Sequence, residues 1–366
     1  MKNNVIIFMP SIDGGGVEKN LFIVSNYLTN KVECLKVLTV SKKFKKKFKK
    51  SVQLITPKSG IWDKFPRRFK YFLSMILLVR EILKSRNVVV LSFQANIYCI
   101  LICKLFSVKV ISRSNTDPIG WSQNFFKKLV FTYGLNLADK ILVNSIEFKK
   151  NLKKEFNVNA VCIYNPLNLK EILSKSKKKS VKIFKNNKKI KIINVGRLAD
   201  QKDQFTLLRS LKKIKGMVEF EACIIGDGKL KYKLQNFVEK NDLKKSVKLL
   251  GWSKNPFPLI KQSNLFILTS KFEGLPNVLL ESLVLKKFII SSDCKTGPKE
   301  ILLNGRGGLL FKVGDYKGLA KKIEYYSKNK NRCQKMMMNS FRSLRRFDYN
   351  YNLKKYLKLI ENFNNY

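Results

Sequence analysis

Short runs of apolar, mostly β-branched residues recur along the whole chain, and stretches with helical spacing lie between several of them. VIIF at 5–8 and VVVLSF at 88–93 are two such runs, and Phe72 to Leu83 has the spacing of a helix. Because the runs are apolar throughout rather than alternating, each strand needs cover on both faces. Strands of this kind that alternate with helices indicate an α/β protein with parallel sheets.

A change of composition interrupts this rhythm and predicts the domain organisation. Residues 168–189 are rich in Lys, Ser and Asn, and we interpret them as a linker. We therefore predict an N-terminal Rossmann-like domain over 1–167, a second one over 190–345, and an amphipathic C-terminal helix in 346–366 that could pack back on the first domain. The predicted strands are 5–8, 35–40, 88–93, 108–112, 140–145, 160–164, 190–196, 220–226, 247–251, 264–269, 288–292 and 308–311.

The 366 residues include no histidine, and this absence narrows the possible chemistry. It excludes Ser-His-Asp and Cys-His nucleophiles and His-ligated zinc. The seven cysteines form no C-x-x-C pair, so the pattern favours reduced, buried thiols in a cytoplasmic protein. Catalysis must then rest on carboxylates, backbone amides, cations or the substrate itself.

The net charge of +49 is spread along the chain. Residues 1–165 hold 29 basic and 9 acidic side chains, and residues 166–366 hold 45 and 16. Because both halves have an excess of basic residues, we interpret most of the charge as a general lysine bias. The first alternative function, nucleic-acid binding, predicts cations and aromatic residues concentrated on one face.

One segment is denser in lysine and is a candidate membrane patch. Its lysines would be drawn to anionic headgroups and its two rings could enter the interface, although a solvated helix face is an equal alternative. No apolar run approaches a bilayer span, so we expect a protein that is cytoplasmic or peripheral on the inner face of the plasma membrane. The segment comprises Lys42, Lys43, Phe44, Lys45, Lys46, Lys47 and Phe48.

A glycine loop, Gly14 to Gly16, follows the first predicted strand and precedes a predicted helix. Glycines there let backbone amides approach a phosphate at a helix N-terminus. The loop is not G-x-G-x-x-G, because Lys19 stands in place of the third glycine, and this disfavours a dinucleotide cofactor. The alternative is a plain strand-to-helix turn.

Scarce carboxylates form a second pattern in the C-terminal half. Glu273 and Glu281 bracket KFEGLPNVLLE, in which Gly274 and Pro276 predict a turn and Asn277 a helix cap. The array offers one carboxylate before the helix, amides at its start and a second carboxylate one turn in. A nucleoside-diphosphate sugar fits it, with amides at phosphate and carboxylates at hydroxyl groups.

Two cations follow the strand that opens the second half. Arg197 and Lys202 are five residues apart in NVGRLADQKD at 194–203. Such a pair can neutralise a diphosphate leaving group, although in so basic a chain two nearby cations are also expected by chance.

Motifs along nearly the whole chain resemble those of family-4 glycosyltransferases, and they are strongest in the second half. The resemblance implies the GT-B fold, with two Rossmann-like domains facing each other across a cleft, and transfer with retention of configuration. In order, the motifs are GGGVEKN at 14–20, IYNP at 163–166, VGRLADQKD at 195–203, IGDGKL at 225–230, LLGW at 249–252, EGLPNVLLES at 273–282 and SSDCKTGPKEIL at 291–302.

The resemblance also implies roles for individual residues. Arg197 and Lys202 look like the pair that grips the donor diphosphate, Glu281 like the carboxylate that holds the ribose hydroxyls, and Glu273 like the one that faces the donor sugar. Further donor contacts are implied for the amides of Leu275, Asn277 and Val278, and for Gly15, Gly16, Gly226 and Gly228. Pro276 has no N–H to donate.

The chain departs from the family in lacking the histidine that many members place near the donor sugar. Arg113, Asn115 and Asp117 in SRSNTDP are the candidates for hydrogen bonds on the acceptor or sugar side. Without histidine, the leaving phosphate itself is expected to take the acceptor's proton.

The resemblance further implies a UDP-sugar donor of hexose or N-acetylhexosamine and a lipid-linked saccharide or surface-polysaccharide acceptor. No D-x-D motif occurs, so no required metal, no other cofactor and no nucleic-acid partner are expected. A phosphorylase or epimerase of the same architecture is the second alternative. Epimerases of this fold normally need histidine, and phosphorylases of the pyridoxal phosphate type are much longer.

Overall fold

The computed structural model describes residues 4–13, 15–115 and 124–363. Its internal contacts divide the chain into two compact units, which are Met1–Pro166 with Tyr349–Tyr366, and Leu167–Asp348. Each unit is an α/β layer structure around a parallel sheet.

The described part of the first unit begins with seven strands and five α-helices. In chain order they are β1 (Asn4–Phe8), α1 (Gly16–Leu28), β2 (Cys34–Leu38), β3 (Gln53–Ile55), α2 (Arg67–Lys84), β4 (Val89–Ser92), α3 (Asn96–Leu105), β5 (Lys109–Arg113), α4 (Phe125–Asn136), β6 (Lys140–Val143), α5 (Ile146–Phe156) and β7 (Ala160–Cys162). Short 3-10 turns lie at Lys45–Lys47 and Gly60–Lys64.

The second unit continues the alternation, and a last helix follows it. Its elements are α6 (Leu169–Ser176), β8 (Ile190–Val195), α7 (Gln204–Ile214), β9 (Phe220–Ile225), α8 (Lys231–Lys240), β10 (Val247–Leu249), α9 (Phe257–Gln262), β11 (Leu265–Leu268), α10 (Asn277–Val284), β12 (Phe288–Ser292), α11 (Pro298–Ile301), β13 (Leu309–Phe311), α12 (Tyr316–Lys328) and α13 (Lys330–Ser343). Helix α14 (Tyr349–Glu361) belongs to the first unit.

The strand orders are β3-β2-β1-β4-β5-β6-β7 in the first unit and β10-β9-β8-β11-β12-β13 in the second. All ladders that join these strands are parallel. In both sheets the chain first runs outward on one side and then crosses to the other side of the opening strand. This is the order of a doubly wound Rossmann sheet.

Apolar helix faces cover both sides of the first sheet. One core contains Leu21, Val24 and Leu28 of α1 together with Leu353 and Tyr356 of α14. The other core holds the inner sides of α2, α3, α4 and α5. The amphipathic C-terminal stretch thus completes the first unit's core.

The segment at 168–189 differs from the linker that its composition predicts. It contains α6, whose N-cap residue Asn168 accepts from the Glu171 amide at 3.0 Å. Ile172 is 2% exposed, and α6 packs against α9 and α10. Further along, the Ile183 amide donates to Gln262 at 3.0 Å. Despite its Lys-rich composition, this segment therefore forms a helix and packs as part of the second unit.

The candidate membrane patch is also arranged differently from the prediction. Phe44 and Phe48 are half-buried, and their ring centroids lie 6.2 and 4.9 Å from that of Phe22 on α1. The Asn26 side chain holds the segment by donating to the Lys47 carbonyl at 2.9 Å. The two rings therefore pack on the first unit's core, while the lysine at 43 and those at 45–47 are exposed.

Arg113 is a structural residue in the first unit, in contrast to the sugar-side role considered above. It is 1% exposed, donates through Nε to the Tyr356 hydroxyl at 2.8 Å and through Nη2 to Asn165 at 2.8 Å. Its Nη1 donates to Asn115, and the guanidinium lies 4.9 Å from the Phe93 ring centroid. The buried cation thus ties α14 to the end of β5.

Removing the Tyr356 hydroxyl tests this tie. We expect Tyr356→Phe to lower the free energy of unfolding by about 1–3 kcal/mol, because a buried, charged donor loses its acceptor. Urea unfolding followed by circular dichroism would measure the loss. Tyr133→Phe, on a side chain that is 71% exposed, is the matched control and should change nothing. Equal stability of the Tyr356 variant and the native chain would contradict the assignment.

Candidate functional site

The strand order places a ligand site at the carboxyl ends of β8 and β11. These strands are neighbours, and β9 lies on the other side of β8. The chain therefore leaves β8 toward one side of the sheet and leaves β11 toward the other. Such a switch point opens a crevice between the two loops, where ligands of doubly wound sheets bind.

An ion pair joins the two loops at this point. Lys202, after β8, places Nζ 2.5 Å from Oε1 of Glu273, after β11. The carboxylate side chain is 8% exposed and the lysine side chain 21%. The Ser270 hydroxyl donates to the same Oε1 at 2.6 Å. Among the described residues, both contacts end on one oxygen, which leaves Oε2 as the atom to meet a substrate hydroxyl.

Backbone contacts fix the two loops relative to each other. The Thr269 hydroxyl donates to the Lys202 carbonyl at 2.8 Å, and the Lys271 amide donates to the Gln201 carbonyl at 2.8 Å. The Gln201 side chain donates to the Phe272 carbonyl at 3.0 Å. Because three hydrogen bonds surround it, the ion pair occupies a preorganised position rather than a chance surface contact.

The end of β12 and the loop after it hold the backbone around Glu273 from a third side. The Thr296 hydroxyl donates to the Glu273 carbonyl at 2.5 Å, and Ser292 donates to the Ser270 carbonyl at 2.6 Å. Gly297 has φ +87°, and a Cβ there would lie 1.9 Å from the Gly274 oxygen. The sequence motifs contained these residues, but only the fold shows that Thr296 reaches the backbone of Glu273 and Ser292 that of Ser270.

Helix α10 begins directly after the β11 loop that contains Glu273. Glu281 lies one turn into it and is 8% exposed. Leu275 is buried, whereas Asn277 and Val278 are half-buried at the helix start. The first amides of a helix lack partners within the helix. Four of the residues predicted to contact the donor thus lie in the same short segment as Glu273. They are Leu275, Asn277, Val278 and Glu281.

Arg197 lies on the same loop as Lys202, and its side chain is exposed. Its carbonyl accepts from the Gln204 side chain at 3.0 Å. Gly226 and Gly228 pack the neighbouring β9 loop against this one, since a Cβ would lie 1.8 Å from the Gly196 oxygen or 2.4 Å from the Leu198 oxygen, respectively. The two glycines permit a close approach that no larger residue allows.

Cys294 is the thiol beside the carboxylate, and it is 2% exposed. Burial, with a smaller contribution from the Glu273 charge, raises the pKa of the Cys294 thiol to about 12. A neutral, buried thiol is a poor nucleophile. Cys294 is therefore not a candidate nucleophile of this site.

In the first unit, Gly15 and Gly16 occupy the corresponding position after β1, where β1 neighbours β4, and Gly14 lies outside the described residues. The amides of Asp13 and Gly15 donate to the Glu18 carboxylate at 3.3 and 2.9 Å. Gly16 is the first residue of α1. Two loop amides are thus engaged by the chain's own carboxylate, and phosphate binding by Gly15 and Gly16 stays a prediction.

The structure separates the predicted residues into two groups. Lys202 and Glu273 are in contact, and the other predicted donor residues of the second unit lie on the loops and helix beside them. Arg113 and Asn115 instead stabilise the first unit, as described above, and Asp117 lies outside the described residues. No group of three or more metal-ligating side chains is found in the described ranges.

A comparison with protein families matches residues 175–343 to the family described as Glycosyl transferases group 1. An uncharacterized glycosyltransferase of Methanocaldococcus jannaschii is 36% identical over 219 residues, or 56% of this chain and 53% of that protein. The amylovoran biosynthesis glycosyltransferase AmsD of Erwinia amylovora is 30% identical over 256 residues, or 69% of each chain.

A third relative comes from Campylobacter jejuni and is 29% identical over 241 residues, 62% of this chain and 64% of that protein. Its name is N-acetylgalactosamine-N,N'-diacetylbacillosaminyl-diphospho-undecaprenol 4-alpha-N-acetylgalactosaminyltransferase. The chain therefore aligns with about half to two thirds of the length of the Methanocaldococcus and Campylobacter relatives.

Among solved structures, Anabaena HepE in complex with UDP superposes with a TM-score of 0.77 at 15% identity, covering 98% of this chain and 100% of that one. The likeness shows the fold, that of the GT-B glycosyltransferases. Identity of 30% over 69% of the Erwinia amylovora protein, with the family match over 175–343, shows that this chain belongs to the glycosyl transferases group 1 family.

Proposed function

We propose that the protein is a retaining glycosyltransferase that moves a hexose or N-acetylhexosamine from a UDP-sugar. The observation that carries this proposal is the Lys202–Glu273 pair, 2.5 Å apart at the switch point of the second sheet. A carboxylate with one oxygen fixed and one available can orient sugar hydroxyls, and it can stabilise positive charge that develops on the sugar ring.

The donor's charges match the groups around this pair. Arg197 and Lys202 would face the diphosphate and Glu281 the ribose hydroxyls, while amides at the start of α10 would face phosphate or sugar. Two cations and helix amides give charge-assisted hydrogen bonds to phosphate oxygens. The complex of a structurally similar protein, HepE, with UDP supports uracil as the donor's base.

The reaction proposed for this site uses no protein nucleophile. The bond between the anomeric carbon and the donor phosphate breaks, and its electron pair goes to the phosphate oxygen. The acceptor oxygen then bonds to the same face of the anomeric carbon, and its proton passes to the departing phosphate. Glu273 would stabilise the intervening positive charge, and the two cations would stabilise the leaving diphosphate.

The proposed acceptor is a lipid-linked saccharide or a surface-polysaccharide precursor. The Campylobacter jejuni relative carries diphospho-undecaprenol in its name, and the Erwinia amylovora relative is named for amylovoran biosynthesis. An acceptor of this kind lies at a membrane surface, so the protein would act peripherally there. None of the described helices is both long and apolar enough to cross a membrane.

Donor binding provides the first prediction. UDP should raise the melting temperature of the full chain more than GDP or ADP does, because a ligand that binds only the folded state stabilises it by mass action. We propose that no metal is required, so the shift should be the same in EDTA as in Mg²⁺. Differential scanning fluorimetry measures both effects. Absence of a shift with every nucleotide contradicts the donor proposal, and a shift lost in EDTA contradicts the metal-free one.

Substitutions in the ion pair provide the second prediction. Glu273→Gln and Lys202→Ala should each lower kcat/KM by about 10²–10³-fold, because each removes charge that acts in the transition state. Chromatography measures the rate of product formation from UDP-hexose and UDP-N-acetylhexosamine donors. The matched control is the Lys189–Glu219 pair, 2.7 Å apart at the amino ends of β8 and β9.

Glu219→Gln and Lys189→Ala should leave kcat/KM within twofold of the native value. Thermal unfolding of each variant separates loss of activity from loss of fold. Near-native turnover by folded Glu273→Gln protein would reject the assigned role.

Stereochemistry provides the third prediction. The product's anomeric configuration should equal that of the donor sugar, because attack and departure occur on one face. Proton NMR of the isolated product, read from the coupling constant of the anomeric proton, distinguishes the outcomes. Inversion would reject the proposed reaction while leaving the donor site intact.

A further inference from the structure

Exposed apolar side chains are concentrated in one part of the first unit. Among the described residues, 14 of the 25 large apolar side chains that are exposed lie between residues 65 and 137. Single exposed apolar residues are ordinary on protein surfaces, whereas a concentration of them marks an interaction site. In the second unit, the exposed apolar residues are scattered.

Helix α2 contributes a regular stripe. Phe69, Phe72, Ile76 and Leu83 are each between 50% and 62% exposed. At 100° per residue, these four positions fall within an arc of about 60°. The opposite side of the same helix buries Leu78 and Ile82 in the first unit's core. The helix is thus apolar on its outer side as well as on its inner side.

Helices α3 and α4 repeat the pattern, each again within an arc of about 60°. The exposed residues are Tyr98, Leu101 and Leu105 on α3, and Phe126, Val130 and Tyr133 on α4. Leu105 and Phe126 are 79% and 74% exposed, so they have little cover from the rest of the unit.

The three stripes belong to one surface. Helix α3 packs against both α2 and α4. The inner sides of all three helices belong to one core, which they form with the strands of the sheet. Their outer sides therefore point away from the same face of the sheet. We name this surface, made of the ten residues just described on α2, α3 and α4, the apolar face.

The charge around the apolar face is positive. The three helices carry eight basic residues, five on α2, one on α3 and two on α4, and one acidic residue, Glu81. Glu81 is 3% exposed and paired with Lys36 and Lys84, on the inner side of α2. The outer sides thus present apolar and basic groups without an exposed carboxylate.

Exposed cations beside the apolar face include Arg68 and Arg80 on α2 and Lys127 on α4. Arg80 lies about 20° beyond the edge of the apolar arc of α2. A second copy of the chain would bring an equally positive face against this one, and like charges directly opposed destabilise an interface. An anionic lipid surface complements both properties, because its headgroups attract cations and its acyl boundary accepts rings.

We propose that the apolar face docks the protein on an anionic bilayer, with the rings of α2 and α4 entering the boundary between headgroups and acyl chains. The biological sense of this docking rests on the proposed transfer to a lipid-linked acceptor. The rings of the 42–48 segment are packed on the first unit's core, so its lysines contribute only electrostatic attraction.

Vesicle binding by the full chain tests the proposal. In flotation assays with vesicles of phosphatidylglycerol and phosphatidylcholine in equal parts, the native chain should bind, and it should bind pure phosphatidylcholine vesicles at least tenfold more weakly. The triple variant Phe69→Asn, Phe72→Asn and Phe126→Asn should lose at least tenfold in binding to the anionic vesicles. All three side chains are exposed, so the variant should keep the native melting temperature.

The matched control changes exposed apolar residues of the second unit. The triple variant Val181→Asn, Met217→Asn and Tyr232→Asn, at positions between 68% and 83% exposed, should bind vesicles within twofold of the native chain. Unchanged binding by the first triple variant would overturn the proposal. A native dimer that this variant converts to a monomer in sedimentation velocity would instead identify a second copy as the occupant.

The assay contains neither donor nor acceptor, so its result is independent of the transferase proposal. If both proposals hold, the first triple variant should transfer sugar to a water-soluble acceptor at the native rate while failing to bind vesicles. Loss of transfer in the Glu273 variant with native vesicle binding would show that the two properties separate.

Discussion

The ion pair between Lys202 and Glu273 is the interaction on which the candidate site depends. A carboxylate that is 8% exposed needs a compensating charge, and removal of one partner would leave the other buried and unpaired. The pair is possible because β8 and β11, which are far apart in sequence, are adjacent in a parallel sheet. Sheet topology thus determines which side chains meet, and the loops then set their distance.

The two units use the same strand order but hold their switch points differently. In the second unit, the Ser270 hydroxyl donates to the Glu273 carboxylate, and the Thr296 hydroxyl donates to the backbone carbonyl of the same residue. In the first unit, the corresponding glycine loop is held by Glu18, whose carboxylate takes the amides of Asp13 and Gly15. One loop is held around Glu273, for which we propose a chemical role, and the other is held by Glu18, whose contacts are structural.

Much of the fold could be predicted from the sequence, because a strand buried on both faces leaves a plain apolar run. All twelve predicted runs overlap strands, and the strand that was missed, β3 at Gln53–Ile55, has three residues, none of them buried. The roles of Arg113 and of the rings at 44 and 48 could not be predicted. The Arg113–Tyr356 bond spans 243 positions, and no local pattern reports a contact of that separation.

The sequence predicted the charged members of the candidate site but not their supports. Glu273 and Lys202 stand out because carboxylates are scarce and because they lie in recognisable motifs. Ser270, Thr296 and Gly297 are common residue types in loops, and their importance follows from three strand ends that meet in space. The apolar face was missed for a related reason, since an outward stripe and an inward stripe look alike in a sequence.

The position of α14 has a consequence for synthesis on the ribosome. The first unit is discontinuous, since its core needs Leu353 and Tyr356 from the end of the chain, whereas the second unit is the continuous segment Leu167–Asp348. Domains generally fold as units while the chain is made. Here the first unit's sheet is made before the second unit, but its core can close only after α14, which follows the second unit, is released. The order of completion is therefore the reverse of the order of translation.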